Sequence, residues 1–149
     1  MQTFLPFANY TESARCLDNR RLNNQINEAL IILRTLTGWY HERGKKGWPH
    51  HRVTKMWRGY EKALGEYCLV CLREYEDRTS KTFPDRRKNI LEIFQIYYDD
   101  TINREVYPPW FGNEDFHRSH RAALLAKDPE WYSRFGWKEK PNIEYVRPA

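Results

Sequence analysis

The chain has 149 residues, six of them Trp and ten Tyr, which suits one domain with a real core and argues against disorder. A formal charge of +5 and a pI near 9.1 favour an anionic partner, nucleic acid before membrane. Apolar runs such as residues 29–33 are too short to cross a bilayer, and no signal peptide opens the chain, so a cytoplasmic protein with no membrane contact is expected.

Residues 1–10 read as extended, because Pro6 rules out an immediate helix. Thr11 or Ser13 can cap a long helix that reaches Thr37 and stops at Gly38. Leu22, Ile26, Ala29, Leu30, Leu33 and Leu36 form its apolar face. Arg20, Arg21, Asn23, Asn24 and Asn27 crowd its first half, so that half suits something wet and polar while the second half suits packing.

Residues 39–51 form a loop in which glycines flank a basic cluster, with Trp39, Tyr40 and Trp48 in reach. Such a loop suits phosphate contact plus base stacking; the alternative is that its tryptophans fold back on the core. Residues 53–76 give the clearest helical period, through Val53, Met56, Trp57, Tyr60, Leu64, Tyr67, Cys68, Cys71, Leu72 and Tyr75. Gly59 and Gly65 inside it point to close approach by another backbone or a ligand. Lys55, Arg58 and Lys62 line the opposite side. Cys68 and Cys71 lie i,i+3 on the apolar face, so the odd set of three cysteines reads as reduced core residues and not as a redox or zinc pair.

A polar linker, 77–83, leads to a weaker helix from Pro84 to Tyr98 with Ile90, Phe94, Tyr97 and Tyr98 as its stripe; 93–98 also suits a strand. Residues 99–112 read as loop. Asn113 then caps a helix with Glu114 and Asp115 in its first turn, and Asp128-Pro129 ends it and starts a short helix closed by Gly136. The tail to Ala149 reads as irregular, wrapped on the body by Trp137 and Tyr145. The expected fold is all-α: a compact single domain over 1–149, a bundle of about four helices with an irregular N-terminal segment and C-terminal tail.

His117, His120, Arg121 and Leu124 share one helical face, with Arg118 beside Arg121, and this is where contact with an anion is expected. Glu114, His117 and His120 could instead begin a metal site, with His41, His50 or His51 as further ligands. Arg118 and Arg121 would repel a cation there, and a satisfied structural histidine pair is the third reading. No Ser-His-Asp order, phosphate-cradling glycine loop or Cys/His zinc framework is present, and no cofactor or metal is expected.

The stretch Asp128-Pro-Glu-Trp-Tyr-Ser-Arg-Phe-Gly136 resembles the Pro-x-Trp-Tyr-x-x-x-Gly close of the phage pyrimidine-dimer DNA glycosylases, the endonuclease V family. Met1-Gln-Thr-Phe-Leu-Pro6, Met56-Trp-Arg-Gly-Tyr-Glu61 and Phe116-His-Arg-Ser-His-Arg121 resemble bacterial relatives of that family over nearly the whole chain. To the phage enzymes the likeness is thinner: the tail, Val53-Thr54 ahead of the middle helix, and the order of helices. The resemblance implies an α-amine that attacks the sugar carbon and a glutamate early in the first helix that supports it. Gln2 is too large for routine removal of the first methionine, so the amine would belong to Met1. The glutamate position falls on Gln25 if the helices are anchored on Arg34, and on Asn23 if on Gly38. Glu28, one turn on from Gln25, is the nearest carboxylate.

The implied function is a DNA glycosylase that excises a damaged or modified pyrimidine from double-stranded DNA by base flipping. The resemblance also implies strand-nicking lyase activity through the N-terminal amine. Catalytic candidates are Met1, Gln25 and Glu28. DNA-binding candidates are Arg20, Arg21, Asn24, Lys55, Arg58, His117, Arg118, His120 and Arg121, and stacking candidates are Trp39, Trp48 and Trp131. A monomer is expected. The rival readings are a non-catalytic DNA- or RNA-binding module and a metal-dependent hydrolase using Glu114, His117 and His120.

Overall fold

Where the sequence suggests one helix over 11–37, two form, because two side chains cap the chain at different places. The computed structural model describes residues 1–98, 107–141, 143–146 and 148, without the side chains of 96–98. The Oδ1 of Asn9 accepts the N–H of Glu12 and starts α1 (Tyr10–Cys16). Asp18 accepts the N–H of Arg21 and starts α2 (Asn19–Leu36). Thr11 and Ser13 therefore cap nothing; Ser13 is buried and exchanges hydrogen bonds with the N–H and carbonyl of Phe7.

The apolar face of α2 buries Leu22, Ile26, Ala29, Ile32 and Leu33. A single short turn, α3 (Trp39–Glu42), follows Gly38. The long helix expected over 53–76 is likewise two, α4 (Arg52–Trp57) and α5 (Glu61–Thr79). Gly59 divides them at φ 87°, a left-handed conformation that costs other residues about 1–2 kcal/mol. Gly59 thus serves a turn, not a close approach. Gly65 does mark a close approach: a Cβ there would sit 2.4 Å from the ring of Phe94.

Among the described residues there are eight α-helices, a closing 3-10 turn at Ser133–Phe135 and no strand. The expectation of about four helices is corrected to that extent; the all-α class holds. α5 runs through the middle, packed on α1, α2 and α6 (Pro84–Tyr98). Its Arg78 donates to the carbonyls of Ala14, Arg15 and Leu17, supplying a cation to the open end of α1. From α6, Arg86 holds the Oδ1 atoms of Asn23 and Asn27 at 2.8 and 3.0 Å. Those two asparagines, read as part of a wet surface, are therefore committed to packing α6 on α2. Helix, not strand, continues through 93–98, while the Tyr97 and Tyr98 side chains and residues 99–106 of the expected loop lie outside the described residues.

Asn113 caps α7 (Glu114–Lys127), and Asp128 caps α8 (Pro129–Tyr132). Trp57, Tyr67, Phe116, Tyr132 and Leu5 are fully buried. Trp110 meets Trp57 edge-on at 4.9 Å and donates its indole N–H to the carbonyl of Met56. All three cysteines are buried and free, and burial pushes the Cys68 thiol up to about 12. No helix among the described residues is long and apolar enough to cross a membrane.

Candidate active site at the clamped N-terminal segment

An extended segment that enters a helical core has no neighbouring strand to satisfy its peptide groups, and unsatisfied groups are costly there. Here side chains from five directions do it. From α2, Gln25 donates to the carbonyl of Gln2 at 3.0 Å and accepts the N–H of Phe4 at 2.7 Å, as a paired strand would. The Tyr67 hydroxyl of α5 lies 2.7 Å from both the carbonyl of Phe4 and Oε1 of Gln25. The Trp57 indole donates to the Thr3 hydroxyl, and Tyr145 of the tail donates to the Thr3 carbonyl.

α7 grips the next residues. The N–H of Leu5 donates to Nδ1 of His120 at 3.0 Å, while Nδ1 of His117 donates to the carbonyl of Leu5 at 2.7 Å. Nε2 of His117 accepts the N–H of Gly112, which fixes its tautomer as Nδ1–H. Arg121 donates to the carbonyl of Pro6 and pairs with Glu114 and Glu139 at 2.5 and 2.7 Å. Thr3, Phe4, Leu5 and Pro6 are buried as a result.

The clamp delivers the start of the chain to Glu28. The N–H of Gln2 donates to Glu28 Oε2 at 2.9 Å, and Nε2 of Gln25 reaches the same oxygen at 3.4 Å. Burial pushes the Glu28 carboxyl above its ordinary value; the Gln2 N–H, the charge of the N-terminal amine and Lys127 offset this only in part. A half-buried carboxyl with a raised pKa is a candidate for proton transfer. On α2, Arg21, Asn24, Ile31 and Thr35 share the face of Glu28 at helical spacing.

Gln25, expected as a catalytic candidate, and His117, His120 and Arg121, expected at a DNA surface, lie inside. Gln25 and His117 are each 1% exposed, His120 0% and Arg121 8%. They are hydrogen-bonded to the N-terminal segment, so their polar groups are directed inward and not at phosphate. Gln25 is a positioning residue for the same reason. Trp39 carries the guanidinium carbons of Arg34 and Arg43 at 4.1 and 3.7 Å from its ring centre. Trp131 donates to the carbonyl of Cys16 and carries Arg134 at 3.7 Å. Both rings are occupied by contacts within the chain. Arg21 pairs with Asp18 and Asp128.

Arg20, Asn24, Lys55, Arg58 and Arg118 are exposed, and Trp48 is 58% exposed. Glu114 is tied to Arg121 and both nitrogens of His117 are engaged. Among the described residues no three His, Cys, Asp or Glu side chains gather where they could hold a metal. Trp57 and Tyr67, expected only as core, and Tyr145, expected only to hold the tail, join the site, as do Thr3 and Lys127. Their one sequence signal was a polar atom, in Gln25 and Tyr67, set within an apolar stripe.

The helical scaffold thus holds residues 2–6 in place, with the N–H of Gln2 on the half-buried carboxyl of Glu28. Residues 1–88, more than half of the chain, match the family model described as pyrimidine dimer DNA glycosylase, and the chain belongs to that family. The family name implies DNA glycosylase activity, with DNA as substrate. No curated protein and no solved structure matches the chain.

Proposed function

We propose that the chain excises a damaged or modified pyrimidine from double-stranded DNA, with the α-amine of Met1 as nucleophile and Glu28 as its acid–base partner. The observation that carries this reading is the clamp: hydrogen bonds along residues 2–6 fix the segment that follows Met1, and the N–H of Gln2 donates to Glu28. Positioning of this kind removes the entropy cost of bringing amine and carboxyl together at the sugar. The amine lone pair would form the bond to C1′ as the bond from C1′ to the base breaks. The electrons leave on the base, which takes a proton from Glu28. The attached ammonium gives its proton back to the Glu28 carboxylate, which passes it to the ring oxygen as the sugar opens to a Schiff base; elimination from that Schiff base nicks the strand.

Base release from a panel of duplexes with damaged or modified pyrimidines tests this directly. Glu28→Gln should lower the rate about 100-fold or more while DNA binding persists. Tight binding by the unaltered protein without release from any duplex would favour the non-catalytic binding module instead.

A further inference from the structure

We infer that residues 43–51 form a nucleobase-stacking arm, in which Trp48 receives an unpaired base of the bound DNA while neighbouring cations hold the phosphates. This rests on the DNA reading above and adds a binding site that the family match does not supply. Trp48 is 58% exposed, the most exposed of the large apolar side chains among the described residues. Among the described residues no ring or cation covers it, unlike Trp39 and Trp131, whose rings carry guanidinium groups.

The exposure is held by construction. The N–H of Trp48 donates to Oγ1 of Thr35 on α2 at 3.2 Å. Gly47, at φ 64°, packs so closely that a Cβ would lie 2.5 Å from Thr35 Oγ1 and 2.6 Å from the Tyr40 ring. The absence of a side chain at 47 thus lets the loop seat on α2 and α3 and turn Trp48 outward. An apolar ring fixed in water costs free energy that a partner must recover.

Charge selects the partner. Residues 43–58 hold six Lys and Arg and no Asp or Glu, against a net charge of +5 for the whole chain. All six, Arg43, Lys45, Lys46, Arg52, Lys55 and Arg58, are exposed. A bare indole within such a field fits a polyanion with aromatic faces, which is nucleic acid, better than it fits a protein surface.

Placement links the arm to the reacting centre. Thr35 lies seven residues beyond Glu28, about 10 Å along α2 and within about 20° of the same face. That is about three base steps at 3.4 Å each. The arm can therefore engage the distorted region around an extruded nucleotide and not a distant part of the duplex.

The test compares binding to a duplex carrying a stable abasic analogue, which leaves a base unpaired, with binding to the matched duplex. Trp48→Ala should weaken the first about tenfold or more and the second far less, at an unchanged melting temperature. Trp48→Phe should retain most of the preference. Lys45→Ala with Lys46→Ala should weaken both duplexes and lower the salt slope by about two. The inference is overturned if Trp48→Ala binds both duplexes as the unaltered protein does. It also falls if that variant loses both equally and melts lower, which is a folding role, or if it alters only self-association, which is a protein contact. Base release that persists in the first case leaves the glycosylase reading intact. If the unaltered protein binds neither duplex, both readings fall.

Discussion

Gln25 sits in the core stripe of α2, three residues after Leu22 and four before Ala29, and stays there because its amide is fully used. Gln25→Leu would leave the Gln2 carbonyl and the Phe4 N–H without that partner. Unsatisfied buried groups cost about 1–3 kcal/mol each, so urea unfolding should show a loss of roughly 2–6 kcal/mol for the pair. Base release should fall too, although Gln25 touches no substrate.

His117 carries a pH prediction. Burial depresses its imidazole below the ordinary value, with the Leu5 carbonyl and Glu114 opposing that shift and Arg121 adding to it. The unfolded chain then takes up a proton near ordinary histidine pH that the folded chain resists. Stability is full above that range and falls as pH drops through it. The melting temperature should decline below about pH 6.5, and His117→Gln should flatten that decline. An unchanged slope in the variant would assign the decline to another group. The sequence put His117 and His120 on one face with Leu124, and that shared face was the legible sign. A face that includes a core leucine points inward, whereas a pair of imidazoles beside two arginines drew the reading towards phosphate.

At the scale of elements, the periodic stripes of α2, α5 and α7 were legible because they bury apolar side chains at three- and four-residue spacing. The breaks were not. Asn9 and Asp18 compete with Thr11 and Ser13 as caps, and only the packed structure decides among them. The N-terminal clamp was invisible for a related reason, since its hydrogen bonds join residues more than twenty and up to 142 positions apart.

α7 is the element on which the clamp and the tail meet. Arg121 joins Pro6, Glu114 and Glu139, the last with a side chain only 13% exposed. Tyr145 stacks on His120 at 4.4 Å, and the N–H of Val146 donates to Ser119. Removing one partner of a buried ion pair costs about 3–5 kcal/mol. Arg121→Ala should therefore destabilise by about 3 kcal/mol and speed amide exchange at Leu5 and Phe7. Loss of DNA affinity at unchanged stability would instead return Arg121 to the phosphate surface.

Among the described residues exposed Lys and Arg side chains lie on several elements, but 43–58 carries six of them with no Asp or Glu. Lys55→Ala with Arg58→Ala should weaken duplex binding and reduce its salt slope by about two, with melting unaffected because both side chains are exposed. The central claim concerns the N-terminal segment, where the N–H of Gln2 donates to Glu28. Borohydride reduction during turnover, followed by mass analysis of the peptide joined to DNA, tests it most directly. The adduct should map to the α-amine of Met1, with the intact mass showing Met1 as the first residue, and N-terminal acetylation should abolish it. Base release with no trapped adduct, or an adduct on a lysine, would contradict amine attack by the terminus.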